Sequence, residues 1–347
     1  MSGRRLVLVT GASGFLGSHL CEALAARGDR VRALYRRAIP PAALARLSGP
    51  DAAVSGIAGG AVELFNADLG DAALVRRAVE GADAVIHSAA LASDWGNYEL
   101  FEESNVRVTR DLLDAAEAAG CASFVFISSA VVHGFGRHVD TTEDGPYFPL
   151  KYPYQLTKKE AELIVLGRNR DGFKTAAIRP CNVYGPGDRT STYKMFSAIL
   201  DGVFGYVGKG AALTCPVYID DLCAGVLAAL DRSESAGQAI LLTDGEKVSW
   251  RDYVAAMYEA IGTDRRPLAL PTPLAFAAAR SMDFVARLFR SREAPPLTLY
   301  RVEQGSSHYH FSNGKARRLL GFEPRIFYRE GLALTARAFL EDREAEL

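Results

Sequence analysis

Three glycines at fixed spacing constrain this chain more than any other feature. Gly11, Gly14 and Gly17 stand in Thr10-Gly11-Ala12-Ser13-Gly14-Phe15-Leu16-Gly17. An apolar run over residues 5–10 precedes them and reads as a buried strand; a helical pattern over residues 14–27 follows. Gly11 allows a tight turn out of the strand. Gly14 lets the backbone come close to a bound group, and Gly17 lets helix and strand pack without an intervening side chain. The helix then starts with unpaired N–H groups and the positive end of its dipole at the strand's carboxyl end, an arrangement suited to a pyrophosphate. With Ser13, Phe15 and Leu16, these glycines are the first candidate residues for binding a dinucleotide.

The same alternation continues. Short apolar runs at 30–35, 62–66, 84–87, 124–128 and 175–179 are separated by helical patterns at 71–80, 103–119 and 154–170. Strands rich in Val, Ile and Phe between helices are parallel and covered on both faces, so the fold class is α/β, a Rossmann-type doubly wound parallel sheet. After Pro180 the regularity fades. Tyr184-Gly185-Pro186-Gly187 is a turn, helices are expected near 192–201, 220–230 and 250–261, a strand near 239–242, and 267–324 shows no strand alternation. We therefore expect a dinucleotide-binding domain over 1–180, completed by about 216–244. A smaller, mainly helical substrate-binding lobe takes 181–215 and 245–330, and 331–347 forms a C-terminal helix.

Composition excludes several classes. A formal net charge of -1 over 347 residues gives no general attraction to nucleic acid. The five cysteines are scattered and odd in number, with no C-x-x-C pair, which argues against a disulfide framework and for a reducing compartment. No signal peptide and no spanning segment are read, so a cytoplasmic location is expected. Residues 273–290 form an Ala/Phe/Leu/Val-rich helix with Arg280, Asp283, Arg287 and Arg290 at spacings of three and four. It either packs on the protein or makes peripheral contact with a membrane surface or a lipid-like substrate. His308 and His310 alternate around Tyr309 without further nearby ligands, and no metal site is expected.

The second strand ends Ala33-Leu34-Tyr35-Arg36-Arg37. The acid that would take a ribose 2′-hydroxyl is missing, and Arg36 and Arg37 suit a 2′-phosphate, so NADP(H) is favoured over NAD(H). The bland reading is a solvated arginine pair. Asp68 and Leu69, after the third strand, are placed for the adenine; Asp68 could instead cap the next helix, a role Asp71 fits better.

Tyr154 and Lys158 stand at i and i+4, on one face of a helix, a spacing that suits a phenol exchanging protons beside an ammonium. Ser129 ends the fifth strand, at the edge where open α/β sheets bind ligands. It donates to a substrate oxygen or is simply a turn residue. Asn105 begins the helix 106–119 and either caps it or orients a water.

Taken in order, Thr10–Gly17, His87-Ser88-Ala89-Ala90, Asn105-Val106, the segment 128–134, Tyr154–Lys158, Arg179-Pro180-Cys181-Asn182-Val183-Tyr184-Gly185-Pro186-Gly187 and Val217-Tyr218-Ile219-Asp220-Asp221 resemble the extended short-chain dehydrogenase/reductases of the NAD-dependent epimerase/dehydratase superfamily. The resemblance implies an enzyme acting on a CH–OH group. Tyr154 is then the acid/base and Lys158 its partner and ribose ligand. Ser129, five residues before Gly134, is the substrate-oxygen donor in preference to Ser128. Ala89, Ala90, Asn105, Pro180 and Val183 join the cofactor site by the same analogy, and a homodimer is carried over with it.

Within that superfamily, Ala92-Ser93-Asp94-Trp95-Gly96, Pro295-Pro296-Leu297-Thr298 and residues 311–324 resemble the 3β-hydroxysteroid/sterol dehydrogenase-like branch. This implies oxidation of a ring alcohol, or reduction of the ketone, on a bulky apolar substrate. A 4-carboxysterol would lose carbon dioxide after oxidation. Asp94, Trp95, Ser129, His133, Asn182 and Tyr218 are the substrate-contact candidates, although the family often has Tyr where His133 stands. Steroid members often use NAD, which fits Arg36 poorly. Nucleotide-sugar epimerases and dehydratases commonly carry an Arg where this chain has Thr214, which weakens that alternative. A dihydroflavonol-type carbonyl reductase and a non-catalytic dinucleotide sensor are the other readings; intact Ser129, Tyr154 and Lys158 oppose the sensor.

Overall fold

The computed structural model describes residues 4–37, 42–48 and 62–345. Seven parallel strands form its centre: β1 (Leu6–Thr10), β2 (Arg30–Tyr35), β3 (Val62–Asn66), β4 (Ala84–His87), β5 (Ser123–Ile127), β6 (Lys174–Pro180) and β7 (Ala239–Leu242). Their order is β7-β6-β5-β4-β1-β2-β3. Every residue of β1, β4 and β5 is buried, as apolar strands covered on both faces require. Alternation sends β1 side chains to two cores. Val7 and Val9 pack with Leu20 and Leu24 of helix Phe15–Ala26 and with Leu222 and Val226 of helix Ile219–Asp231. Leu8 packs with Val75, Leu112 and Val165 from the helices of the other face. The order reverses between β1 and β4, so the loops after these strands part and leave a crevice at the carboxyl edge.

Three local features depart from the sequence reading. The stretch 103–119 is not one helix. It runs as a turn of α-helix (Tyr98–Phe101), a π-helical segment (Glu102–Arg107) and an α-helix (Val108–Ala118). The stretch 267–324 does contain strands. Leu268–Leu270 pairs with Gly205–Val207, and Tyr309–Phe311 pairs with His138–Thr141. Three residues are too few for a period of two to be read. The C-terminal helix starts earlier than expected and spans Tyr328–Ala345, residues 346–347 lying outside the described ones. It packs Leu332, Ala336 and Phe339 into the first core, with Phe339 5.2 Å from the Tyr193 ring.

Helix Thr272–Leu288 buries Ala275, Ala279 and Asp283. Its outer face carries Leu274, Phe284, Val285 and Leu288, all exposed, and continues into exposed Phe289. Among the described residues, no helix is long and apolar enough to cross a membrane.

Candidate active site

The phosphate loop is built by close approach. Gly11 has φ +66°, and a Cβ there would lie 2.8 Å from backbone atoms of Ala89. A Cβ on Gly17 would stand 2.1 Å from the Gly11 carbonyl oxygen. The Gly14 N–H donates to that carbonyl at 2.9 Å, and Ala12 N–H donates to Leu34 O at 3.0 Å. Ser13, Phe15 and Leu16 are half-buried around the exposed Gly14, and Phe15 opens the helix.

A polar spine that the sequence reading missed holds the loop to β4. His87 Nε2 lies 2.9 Å from Thr109 Oγ1, whose hydroxyl donates to Asn105 O at 2.6 Å. His87 therefore donates from Nε2 and accepts the Thr10 hydroxyl at Nδ1, 2.7 Å away. Burial, with Lys158 adding to it, pushes this imidazole down to about 3, so it is neutral. The only sequence signal was a histidine on a strand that is otherwise apolar.

Arg36 and Asp68 come together at the carboxyl ends of β2 and β3, with Nη1 and Oδ2 3.9 Å apart and both side chains mostly exposed. Arg37 is exposed, and its carbonyl accepts from Asn66 Nδ2 at 2.7 Å. Asp68 accepts the Gly70 N–H, while Asp71 caps helix Ala72–Val79 through the Ala73 and Leu74 N–H groups. Leu69 is half-buried beside the second core. Ala89 is half-buried under Gly11, and Ala90 is exposed. Pro180 ends β6 in a buried position, and Val183 lies half-buried in strand Asn182–Tyr184.

Asn105 does not cap a helix. It lies buried inside the π-helical turn, accepts Leu91 N–H at 2.7 Å and donates to Leu91 O and Thr157 Oγ1. The extra residue of the π turn aims this amide back at the loop after β4 instead of leaving it at a helix start. It clamps that loop to the helix bearing Tyr154.

That helix, Pro153–Leu166, starts with a proline in its first turn. Gln155 accepts the Lys151 and Tyr152 N–H groups, which fixes the first turn and with it Tyr154. Ser128 and Ser129 diverge after β5. Ser128 turns inward and donates to Glu162 at 2.7 Å. Ser129, half-buried, accepts the Val131 N–H at 3.3 Å and stands near enough to the Tyr154 phenol to favour its ionised form. Burial pushes Tyr154 up to about 12, and the Ser129 contact opposes this. Lys158 is buried. Its Nζ donates to Ile127 O at 2.5 Å and sits 4.1 Å from the centre of the Phe126 ring. Burial pushes it down to about 7, with Glu162 opposing. The helical spacing alone suggested an ammonium held against the phenol. In the structure the ammonium is held by Ile127 and Phe126, and desolvation sets its acidity.

Beneath these residues lies a buried ion pair. Arg179 on β6 grips Glu162 through Nε and Nη2 at 2.8 and 2.7 Å. Arg179 Nη1 also reaches His133 Nε2 at 2.9 Å, and the His133 ring stacks on Tyr147 with centroids 4.5 Å apart. His133 is thus fully buried in this network, where its neutral imidazole accepts from the guanidinium. Burial and Arg179 push it down to about 3.

A crevice opens beside Tyr154, lined by Trp95, Phe101, Tyr152, Asp283, Arg287 and Tyr300 among others. Asp94 lines it too, but its carboxylate is held by Thr298 at 2.6 Å and Arg301 at 2.8 Å. Trp95 donates from Nε1 to Ser291 O at 3.0 Å. Two other candidates stand outside the crevice. Tyr218 is buried against Tyr184, 5.6 Å between rings, because its strand turns it into the first core. Asn182 is tied to Thr214 at 2.7 Å and Gln304 at 3.2 Å. Tyr300, Asp283 and Arg287 were missed as site residues; the i, i+4 spacing of Asp283 and Arg287 was visible, but not which face met the crevice.

The family described as NAD dependent epimerase/dehydratase matches residues 7–242. The chain is 31% identical over 334 residues to a 2-alkyl-3-oxoalkanoate reductase of Stenotrophomonas maltophilia, covering 94% of this chain and 97% of the relative. It is 33% identical over 343 residues to a 3β-hydroxysteroid dehydrogenase/Δ5→4-isomerase of Mycobacterium tuberculosis, covering 94% and 88%. Among solved structures, MoeE5 in complex with UDP-glucose and NAD superposes with a TM-score of 0.74 at 25% identity, covering 97% of this chain and 99% of that one.

Proposed function

Since the chain belongs to the NAD dependent epimerase/dehydratase family, we propose that its Tyr154 crevice interconverts a secondary alcohol and a ketone on a bulky apolar substrate, a 3β-hydroxysteroid or sterol in the first instance. The observation that carries this reading is the wall of the crevice: Trp95, Phe101, Tyr152 and Tyr300 surround Tyr154. The named activities of the reductase and steroid dehydrogenase relatives support it.

The glycine cradle fits a dinucleotide, because Gly11 and Gly17 have no room for a side chain where backbone meets backbone. When bound, that group supplies the hydride acceptor or donor. The chain's own residues do the rest. Gly11–Gly17 and the helix behind them hold the phosphates. Tyr154 takes the alcohol proton in oxidation and returns it in reduction. Ser129 donates to the same oxygen as charge develops on it, and Lys158 adds positive potential next to the ribose side. With a carboxyl group beside the oxidised carbon, as in a 4-carboxysterol, the product β-keto acid could lose carbon dioxide.

Nucleotide-sugar epimerisation is the second reading, supported by the likeness to MoeE5. Against it, Thr214 is buried and bonded to Asn182 where a diphosphate would call for a cation. A panel of 3β-hydroxysteroids, 4-carboxysterols, dihydroflavonols and nucleotide sugars, run with NAD and NADP in parallel, separates them. Turnover of steroids is expected; turnover of nucleotide sugars alone would transfer the crevice to the second reading.

For the cofactor, the exposed Arg36 guanidinium supports NADP(H). Arg36→Ala should raise the KM for NADP(H) by about 10-fold or more, the worth of a charge-assisted contact, and leave NAD(H) within about twofold. Equal effects on both would remove the assignment.

We also propose that the outer face of helix Thr272–Leu288 rests on an anionic lipid surface. Leu274, Phe284, Val285, Leu288 and Phe289 are exposed together, and exposed Arg280, Arg290 and Arg292 flank them. The protein should float with phosphatidylserine-containing vesicles, less with neutral ones. The pair Phe284→Ser and Phe289→Ser should cut binding about 100-fold or more, given about 1.5–3 kcal/mol per buried Phe. A lipid-independent dimer lost in the same variant would instead assign the face to a second copy.

A further inference from the structure

The crevice beside Tyr154 contains three charged side chains, Asp94, Asp283 and Arg287. Asp94 is fully occupied: Thr298 donates to it, and Arg301 approaches both of its oxygens, at 2.8 and 3.1 Å. Asp283 accepts the Leu299 N–H at 3.3 Å through Oδ2, and its Oδ1 is buried without a partner. Arg287 differs from both. Its guanidinium lies over the Trp95 ring, 4.9 Å from the centroid, and among the described residues it makes neither a hydrogen bond nor an ion pair.

We propose that Arg287 is the carboxylate-binding residue of this crevice, and that the substrate is an apolar acid whose carboxylate lies near the carbon bearing the reacting oxygen. The inference rests on the reading that Tyr154 exchanges the substrate proton, and it deepens that reading by naming the residue that would select the acid over its neutral counterpart.

Stacking is what makes Arg287 suitable. A guanidinium lying on an aromatic face keeps its planar edge of N–H donors exposed, and that edge matches the two oxygens of a carboxylate. The indole beneath it is itself fixed by its Nε1–H bond to Ser291 O, so the platform is set before a ligand arrives. The neighbouring Arg301 is neutralised by Asp94, whereas Arg287, the one cation of the lining, feels the Asp283 carboxylate only through space and spends no N–H donor on it. Asp283, one helical turn away, disfavours a second anion deep in the crevice and directs the substrate carboxylate to the Trp95 side. In the reaction the carboxylate is unchanged. A bound nicotinamide would accept or supply the hydride at the carbinol carbon, and the proton passes between the oxygen and Tyr154.

The probes are a 3β-hydroxysteroid-4-carboxylate and its methyl ester, assayed for oxidation and, by quenching of tryptophan fluorescence, for binding. Wild-type protein should prefer the acid. Arg287→Gln should raise the KM and Kd of the acid about 10- to 100-fold, the range for a bond to a charged group, and change those of the ester less than about twofold. Arg287→Lys should recover part of the loss. Dinucleotide affinity unchanged in both variants shows that they are folded. If acid and ester suffer alike, Arg287 acts only by supporting Trp95 and the proposal is overturned; a wild type that binds both equally overturns it too. Arg287-dependent binding of the acid without oxidation would uphold the anchor and refute the dehydrogenase reading for this substrate.

Discussion

Tyr154→Phe should lower kcat/KM for alcohol oxidation by about 10²- to 10⁴-fold, the range for removing a positioned acid/base, with dinucleotide affinity unchanged within about twofold. The ring stays, so packing against Phe101, 6.4 Å between centroids, is kept. Only the hydroxyl beside Ser129 goes. A protein that merely senses the dinucleotide would be unaffected. The pH dependence has a definite sign. Burial pushes Tyr154 up to about 12 in the protein alone, so the phenol is largely protonated at working pH. Oxidation needs the phenolate and should accelerate as pH rises; reduction needs the phenol and should slow. Stopped-turnover assays in both directions check this, and a pH-independent oxidation rate would remove Tyr154 from the proton path.

Glu162→Leu should destabilise the protein by about 3–5 kcal/mol, read from urea denaturation, because it strands the buried Arg179 guanidinium. Arg179 and Glu162 are almost fully shielded, and Glu162 also accepts from Ser128. Burial alone would raise the Glu162 carboxyl, yet the bonds from Arg179 and Ser128 bring it below the usual range, so it is ionised. The pair joins β6 to the helix carrying Tyr154 and Lys158, so turnover should fall as well. The double variant Glu162→Leu, Arg179→Met removes both charges and should recover much of the stability, since the larger cost comes from leaving one ion without the other. A single variant that loses less than about 1 kcal/mol would show that water reaches the pair.

The legibility of this molecule in its sequence followed the length of its signals. Buried strands such as β1, β4 and β5 are uniformly apolar and flanked by amphipathic helices, and Gly11, Gly14 and Gly17 punctuate the first crossover, so the sheet could be drawn from composition and spacing. The strand pairs Leu268–Leu270 with Gly205–Val207 and Tyr309–Phe311 with His138–Thr141 could not, because three residues carry no period. Asn105 looked like a helix start because a π turn leaves no mark in an apolar pattern. Tyr154, Lys158 and Ser129 were visible as a spaced set, whereas the burial of His133 and Tyr218 was not. Whether an aromatic side chain faces a crevice or a core depends on partners far off in sequence, here Arg179 and Tyr184. Arg287 was hidden for the converse reason: the role proposed for it depends on Trp95, which lies almost two hundred residues earlier in the chain, after β4.

The reaction proposed for the Tyr154 crevice moves a hydride between a ring carbinol and a nicotinamide. A 3β-hydroxysteroid deuterated at the carbinol carbon, incubated with the protein and with NAD or NADP, tests it by mass spectrometry of both products. One deuterium is expected in the reduced cofactor for each ketone formed, and about 10²- to 10⁴-fold less of both in the same time with Tyr154→Phe. Deuterium that stays with the substrate, with no reduced cofactor accumulating while a nucleotide sugar exchanges its own label, would contradict it and assign the site to epimerisation.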